Sequence, residues 1–186
     1  MEIRLNHTYL IIGTNLGDKL ANLNEAIAMI KSSIGDITKS SSIYETEPWG
    51  ITDQPTFFNQ VVEVQTQSDA FAVLQAISKI EKDMGRIRGE KYGARIIDID
   101  ILFFNNEIYD TPELTVPHPR IAERNFVLAP LAEIAGHLQH PVSNKPVAEL
   151  WNVSKDKLGI KKIKPEAWPF YICPIKQDYR SIPTQS

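Results

Sequence analysis

The sequence of 186 residues contains a single cysteine, Cys173, and no apolar run that approaches the roughly 20 residues of a membrane-spanning helix. One cysteine cannot form an intramolecular disulfide, and it excludes a zinc site built from several thiolates. The N-terminal residues do not show the basic-then-apolar pattern of a signal peptide. Together these absences predict a cytoplasmic protein that does not enter a membrane.

The sequence also lacks an excess of positive charge. It has 20 Lys and Arg residues against 23 Asp and Glu residues, which gives a formal net charge of −3. This balance argues against nucleic acid as a partner, so any anionic ligand would need a local basic cluster. Hydrophobic residues make up 42% and charged residues 23% of the chain, the usual balance for one globular domain with a substantial core.

Hydrophobic patterns along the chain predict alternating strands and helices. Strands are predicted at residues 9–12, 37–46, 57–64 and 96–104, long helices at about 18–34 and 69–84, and short helices at about 124–134 and 147–151. The order βαββαβ is typical of an α+β, ferredoxin-like core. We therefore expect an antiparallel sheet with helices packed on both faces, a three-layer α/β/α arrangement.

Two aspartates stand two positions apart in the last of these strands. Because side chains of a strand alternate between its faces, Asp98 and Asp100 should share one face, roughly 7 Å apart at the backbone. The other side chains divide in the same way, with Ile97, Ile99, Ile101 and Phe103 on the opposite face and Leu102 and Phe104 continuing the aspartate face. Oxygen ligands at this spacing favour magnesium. The alternative is a half-buried strand with a polar outer face.

A glycine-rich basic segment, residues 85–95, leads directly into that strand. It carries Arg86, Arg88, Lys91 and Arg95. Guanidinium groups bind phosphate oxygens and stabilise charge on a transferred phosphoryl group. Alone, the segment is best interpreted as an exposed turn, but beside two carboxylates it predicts a site for polyphosphate transfer. Residues 13–17 also follow a strand, but they lack the Walker ending and predict only a tight turn.

Aromatic and amide side chains suggest a second part of the site. Phe57 and Asn59 share one face of their strand, and a ring beside an amide suits a flat heterocycle with donors and acceptors on its edge. The more ordinary interpretation is a core phenylalanine and a strand-end asparagine. His118, with Arg124 and Phe126 beyond it, suggests a further contribution to a nucleotide or aromatic site.

Taken together, these segments resemble the 6-hydroxymethyl-7,8-dihydropterin pyrophosphokinase family over about residues 8–150. The most specific segment is residues 92–102. Further motifs match in the family's order at residues 13–16, 44–50, 53–55, 58–59, 85–88 and 114–118. The resemblance implies an enzyme of folate biosynthesis that moves the β,γ-diphosphate of ATP to the hydroxymethyl group of the pterin and releases AMP.

The resemblance also implies roles for individual residues. Asp98 and Asp100 would bind two magnesium ions and would form the catalytic group with Arg86 and Arg95. The ATP site would be lined by Glu81, Arg88, Tyr92, Arg95, Ile101, Thr115, His118 and Arg124. The pterin would contact Thr46, Pro48, Trp49, Gly50, Phe57, Asn59 and Phe126.

We predict a catalytic domain over residues 1–153 and a C-terminal extension over residues 154–186 that is not a separate domain. ATP and the pterin are the expected small-molecule partners, and the protein is expected to be a monomer or a weak dimer. Two alternatives stay open at this point. One is an ATP-dependent transferase acting on another flat hydroxymethyl heterocycle, and the other is a non-catalytic ferredoxin-like binding module.

Overall fold

The apolar runs of the sequence form the strands of one large sheet, and the amphipathic segments form helices on both of its faces. This architecture is that of a computed structural model, which describes residues 5–50, 53–87 and 93–163. The strands are β1 (Asn6–Thr14), β2 (Asp36–Ser40), β3 (Tyr44–Thr46), β4 (Phe57–Thr66), β5 (Asp98–Phe104), β6 (Tyr109–Asp110), β7 (Thr115–Val116) and β8 (Ile160–Lys162). The helices are α1 (Lys19–Ser33), α2 (Ala70–Asp83), α3 (Asn125–Ala135) and α4 (Val147–Asn152), with a 3-10 turn at Ile121–Glu123. Within the three described ranges, no helix has the length and apolar character needed to cross a membrane.

β1 lies inside the sheet, where it pairs antiparallel with both β4 and β5. The strand order is β5-β1-β4-β3-β8, and β2 also pairs with β4. Leu10 and Ile12 of β1 belong to the core against α1 and α2. Tyr9 and Ile11 alternate with them and belong to the core against α3 and α4. The prediction of a three-layer, ferredoxin-like α+β fold is therefore confirmed.

Aspartate side chains cap the start of both long helices. Asp18 accepts hydrogen bonds at 3.0 and 3.1 Å from two backbone N–H groups in the first turn of α1. Asp69 accepts one at 2.8 Å in the first turn of α2. These carboxylates satisfy N–H groups that a first helical turn leaves without partners. α3 differs, because its N-cap residue Arg124 makes no side-chain capping hydrogen bond.

The strand predicted at residues 37–46 is interrupted, which corrects the sequence prediction. β2 ends at Ser40 and β3 begins at Tyr44, and both pair with β4. Between them, the Ser41 hydroxyl accepts a hydrogen bond from the backbone N–H of Val61 at 3.0 Å. The side chain takes the place of a backbone partner, and the chain leaves the regular ladder there.

A β-bulge changes the faces of β5. β1 pairs first with Ile101 and next with Phe103, which leaves Leu102 as an extra residue. Leu102 and Phe103 therefore both pack beneath α3 and α4, and Phe104 returns to the core against α1 and α2. The predictions that Phe103 shares the face of Ile101 and that Phe104 continues the aspartate face are both wrong for this reason.

The C-terminal part of the described chain adds an edge strand that the sequence did not predict. β8 pairs antiparallel with β3, and Ile160 lies opposite Thr46. The N–H of Ile163 then donates to the carbonyl of Ile43 at 2.9 Å. The small hairpin of β6 and β7 was also not predicted, whereas the two short helices are present as α3 and α4.

Candidate active site

A row of paired residues crosses the sheet near the end of β1. Asp98 at the start of β5 pairs with Gly13, which pairs with Asn59 of β4 on its other side. Asn59 in turn pairs with Tyr44 of β3, whose hydroxyl donates to Glu133 of α3 at 2.9 Å. Paired residues direct their side chains to the same face of a sheet. The row therefore brings the aspartate and the amide together on the face covered by α3.

Asp98 is held between two arginines of the basic segment. Its Oδ1 lies 2.7 Å from Arg86 Nη2, and its Oδ2 lies 2.8 Å from Arg95 Nη1. Arg86 also contacts the carboxylate of Glu81 in the last turn of α2. Glu81 Oε1 accepts a hydrogen bond at 2.8 Å from the backbone N–H of Ile99, which ties α2 to β5. The structure thus places three of the four predicted catalytic residues in direct contact.

Asp100 lies two residues further along β5 on the same face. Burial, and then the negative charges of Asp98 and Glu81, raise the pKa of Asp100 to about 7. The positive charges of Arg86 and Arg124 act in the opposite direction. Carboxylates crowded in this way favour a bound cation, because a cation would remove their mutual repulsion.

The donor set fits magnesium bound together with a phosphate ligand. Within the part of the chain that the structure describes, no group of three or more His, Cys, Asp or Glu side chains is arranged to hold a metal. Magnesium, however, is commonly bound through one or two carboxylates and completes its shell with waters and substrate phosphates. Asp98 and Asp100 supply two such carboxylates, and their oxygen-only chemistry does not suit zinc or copper.

The amide of Asn59 is fixed in position by its neighbours. Its Nδ2 donates to Thr46 Oγ1 at 2.7 Å, and both residues are buried. A Cβ atom at Gly13 would lie only 2.8 Å from Asn59 Oδ1. The absence of a side chain at Gly13 therefore leaves the space that the amide occupies. Phe57 pairs with Thr46 and lies half-buried beside this group.

Arg124 lies between two aromatic rings. Its guanidinium carbon is 4.9 Å from the centre of the Trp49 ring and 5.5 Å from that of Phe126. Trp49 follows Pro48 in the loop after β3, and the positive φ of Gly50, 93°, turns this loop. Two of the three aromatics predicted for the pterin site, Trp49 and Phe126, thus lie against one cation.

His118 follows β7 and lies beside β5. Its backbone N–H donates to the carbonyl of Leu102 at 3.0 Å, and its Nδ1 accepts from the backbone N–H of Arg120 at 3.2 Å. Burial, and then the positive charges of Arg124 and Arg120, lower the pKa of His118 to about 4. The ring is therefore neutral near pH 7, and its Nε2–H is the donor that can meet a ligand.

The other residues predicted for the nucleotide differ in their placement. Thr115 is exposed on β7. The side chain of Ile101 is buried in the core against α1 and α2, so only its backbone can contact a ligand on the aspartate face. Arg88 and Tyr92 lie outside the described residues.

Asn15 was missed as a site residue. Its Oδ1 accepts from the backbone N–H of Arg95 at 2.8 Å, and its Nδ2 donates to Gln54 Oε1 and to the Pro55 carbonyl, both at 3.1 Å. This buried amide ties the end of the basic segment to the loop after β3. The sequence did contain a signal, namely a polar residue directly after a buried strand. We had interpreted Asn15 only as part of a tight turn.

Comparison with known proteins gives concordant results. The model of the 7,8-dihydro-6-hydroxymethylpterin-pyrophosphokinase family matches residues 9–136. The chain is 41% identical over 157 residues to the 2-amino-4-hydroxy-6-hydroxymethyldihydropteridine pyrophosphokinase of Bacillus subtilis (strain 168), a match that covers 83% of this chain and 94% of that protein. It is 38% identical over 141 residues to the protein of the same name from Aquifex aeolicus (strain VF5), covering 76% of this chain and 88% of the relative.

Longer proteins are matched over only part of their length. The chain is 46% identical over 125 residues to the mitochondrial folate synthesis bifunctional protein of Pisum sativum, covering 67% of this chain and 24% of that protein. Its fold superposes with a TM-score of 0.68 on the wild-type Plasmodium falciparum HPPK-DHPS with pteroate, at 20% identity, covering 82% of this chain and 43% of that one. At this identity the likeness concerns the fold alone.

Proposed function

The chain belongs to the 7,8-dihydro-6-hydroxymethylpterin-pyrophosphokinase family, and from that membership we propose which residues carry the reaction. The protein is a pyrophosphokinase of folate synthesis that uses ATP and hydroxymethyldihydropterin. In the transfer, the hydroxymethyl oxygen bonds to the β-phosphorus of ATP and gives up its proton. The bond from that phosphorus to the oxygen shared with the α-phosphorus breaks, and AMP leaves.

One observation carries the assignment of roles, namely the row that crosses the sheet. Asp98 contacts Arg86 and Arg95 at one end of this row, and Asn59 lies beyond Gly13 on the same face. Charged groups suited to polyphosphate are thus placed beside an amide suited to a heterocycle edge. Holding both reactants in one geometry supplies a large part of the rate in reactions that need no protein nucleophile.

Asp98 and Asp100 would hold two magnesium ions together with oxygens of the ATP phosphates. Magnesium, when bound, neutralises part of the phosphate charge and orients the transferred group. Arg86 and Arg95 both contact Asp98, so all three groups stand together where the ions and phosphates would bind. The carboxylate would hold the cation, and the guanidinium groups would bind the phosphates and stabilise the charge that develops there.

We assign the nucleotide to the side of β5 next to His118 and Arg124. The neutral imidazole of His118 can donate from Nε2, and Arg124 supplies a permanent cation. The full proposed nucleotide site consists of Glu81, Arg88, Tyr92, Arg95, the backbone of Ile101, Thr115, His118 and Arg124.

We assign the pterin to the other end of the row. Thr46 and Asn59 would hydrogen-bond the edge of the heterocycle, and Phe57 and Phe126 would stack on its faces. The loop of Pro48, Trp49 and Gly50 would offer backbone groups to it. Arg124 packs against Phe126, so a pterin that stacks on Phe126 would also lie close to this cation.

Product analysis tests the proposed reaction. The purified protein is incubated with ATP, with and without magnesium and 6-hydroxymethyl-7,8-dihydropterin, and nucleotides and pterins are separated. We expect AMP and pterin diphosphate in equal amounts, and only when both magnesium and the pterin alcohol are present. ADP as the product, or AMP release that does not require the pterin, would contradict the proposal. A second flat hydroxymethyl heterocycle at the same concentration tests the selectivity of the Asn59 and Thr46 pair.

We also propose that residues 1–153 are the catalytic domain and that residues 154–186 are an extension of it rather than a second domain. The described part of the extension supports this assignment, because β8 joins the main sheet. Lys162 in β8 also contacts Glu133 of α3, with Nζ 2.8 Å from Oε1.

A further inference from the structure

α3 receives its N-terminal cap from a distant part of the chain. Arg124 stands at the N-cap position and makes no capping hydrogen bond with its side chain. The backbone N–H of Asn125 donates instead to Asp156 Oδ2 at 2.8 Å, and Asn125 Nδ2 donates to the Asp156 carbonyl at 2.9 Å. A carboxylate in this place satisfies a free N–H group and interacts favourably with the helix dipole.

Asp156 is itself held in a shaped turn. Its second carboxylate oxygen, Oδ1, accepts from the backbone N–H of Leu158 at 3.0 Å, and its own N–H donates to Ser154 Oγ at 3.3 Å. The two carboxylate oxygens therefore serve two purposes, one ordering the turn and the other anchoring the turn to α3. Replacing the side chain would loosen both connections.

The residues that follow this turn reach β3. The backbone N–H of Glu47 donates to the Gly159 carbonyl at 3.1 Å, and the N–H of Gly159 donates to Glu47 Oε2 at 3.0 Å. Ile160 lies opposite Thr46 in the β3–β8 pair. We call residues 156–160 the strap, since they connect the start of α3 to the end of β3.

The two connected ends carry proposed pterin contacts. Phe126 is the second residue of α3, and Thr46 is the last residue of β3. Thr46, Phe126, Asp156 and Leu158 surround one tight gap between these elements. We propose that the strap sets the separation of Phe126 and Thr46, with Asp156 as its positioning residue, a role that rests on the proposed pterin site.

The strap ends on Asn125, next to Arg124 of the proposed nucleotide site, but its hydrogen bonds do not extend to the catalytic group around Asp98. In the described ranges, the hydrogen bonds of Asp156 reach Ser154, Leu158 and Asn125, and none reaches Arg86 or Asp98. Loss of the Asp156 side chain should therefore weaken pterin binding without a matching loss in nucleotide binding or in the chemical step.

The test compares Asp156→Ala and Asp156→Asn with Lys155→Ala, a substitution at an exposed residue just before the strap. The readouts are the Kd of 6-hydroxymethyl-7,8-dihydropterin with magnesium and α,β-methylene-ATP, the Kd of that nucleotide analogue alone, the Tm, and the single-turnover rate at saturating pterin. We expect Asp156→Ala to raise the pterin Kd by about five- to tenfold, the size of one lost cap. The nucleotide Kd and the saturated rate should change by less than about twofold.

Asp156→Asn keeps an oxygen acceptor for Asn125 and should restore pterin affinity to within about threefold of the wild type. Lys155→Ala should change no readout. An Asp156→Ala protein with a lower Tm but an unchanged pterin Kd would overturn the positioning role, and so would equal losses of pterin and nucleotide affinity. A wild-type protein that releases no AMP with the pterin would instead overturn the proposed function, and the role of the strap with it.

Discussion

Asp98 contacts two guanidinium groups and is a proposed magnesium ligand. Because these ion pairs are partly exposed, its substitution should affect activity far more than folding. Asp98→Asn keeps the shape of the side chain but removes the charge that a magnesium ion needs. We expect turnover at saturating substrates to fall by about a thousandfold or more, because a metal-bound carboxylate supports several kcal/mol of charge stabilisation. The measurements are the rate of AMP release and the Tm.

The matched control is Asp110→Asn, which makes the same chemical change at an exposed position on β6. It should retain full turnover. An Asp98→Asn protein with turnover within tenfold of the wild type would remove Asp98 from the proposed catalytic group.

Gly13 offers a second test at the scale of one residue, because its missing side chain leaves room for the Asn59 amide. Gly13→Ala would force Asn59 Oδ1 to move and would disturb its bond to Thr46. We expect a loss of about 1–3 kcal/mol in the free energy of unfolding, as for other overpacked sites. Pterin affinity should fall about tenfold while nucleotide affinity is kept.

A double-mutant cycle separates this clash from other effects of the Gly13→Ala change. In an Asn59→Ala protein the atom that Cβ would meet is absent, so the same substitution should cost little stability. Equal costs in both backgrounds, measured by urea unfolding, would show that the amide is not the obstacle.

At the scale of elements, the end of β1 connects the two loops that frame the site. Asn15→Asp keeps an acceptor for the N–H of Arg95 but loses the donor to Gln54 and Pro55. We therefore expect it to weaken pterin binding about fivefold or more while the single-turnover rate at saturation is largely kept. Titration with the pterin and rapid-quench kinetics measure the two quantities.

Asn15→Ala removes both connections and is the comparison. It should lower pterin affinity, the single-turnover rate and stability together, with about 1–3 kcal/mol lost for the buried partners left unpaired. If the aspartate and alanine variants behave alike, Asn15 does not connect the two loops in the way that its hydrogen bonds indicate.

The elements also show what the sequence could predict and why. Strand alternation is local, so the shared face of Asp98 and Asp100 followed from spacing alone. The bulge at Leu102 depends on the register against β1, which no local pattern specifies. The cap from Asp156 is supplied from 31 residues away, and a sequence pattern that depends on neighbours cannot show it.

At the scale of the whole molecule, folding shifts the pKa values of several groups, and these shifts make the free energy of unfolding depend on pH. Burial opposes ionisation of Glu133, but hydrogen bonds from Lys162, Ser42 and Tyr44 outweigh it and hold its pKa below the usual value. This contribution is present above the unfolded pKa and is lost as the pH falls through the folded one. Asp100 acts in the opposite direction, because its pKa of about 7 makes ionisation costly to the fold as the pH rises.

His118 should determine how the free energy of unfolding of the wild type differs from that of a His118→Asn variant between pH 7 and pH 5. Its pKa falls from 6.5 to about 4 on folding, so the unfolded chain takes up a proton first as the pH drops, and stability is lost. In His118→Asn this loss cannot occur, and the amide oxygen can still accept from the Arg120 N–H. We expect the free energy of unfolding of the wild type to fall by about 1–2 kcal/mol relative to the variant between these pH values.

Urea unfolding of both proteins at each pH, without magnesium, measures this difference. Asp100 titrates in the same range and stabilises the fold as the pH falls, so the absolute slope of either protein alone is not informative. Subtracting the two curves removes the Asp100 contribution, because both proteins carry it, and the offset at pH 8 gives the cost of the substitution itself. Parallel curves from pH 8 to pH 5 would mean that His118 is not held neutral by burial and by its two arginine neighbours.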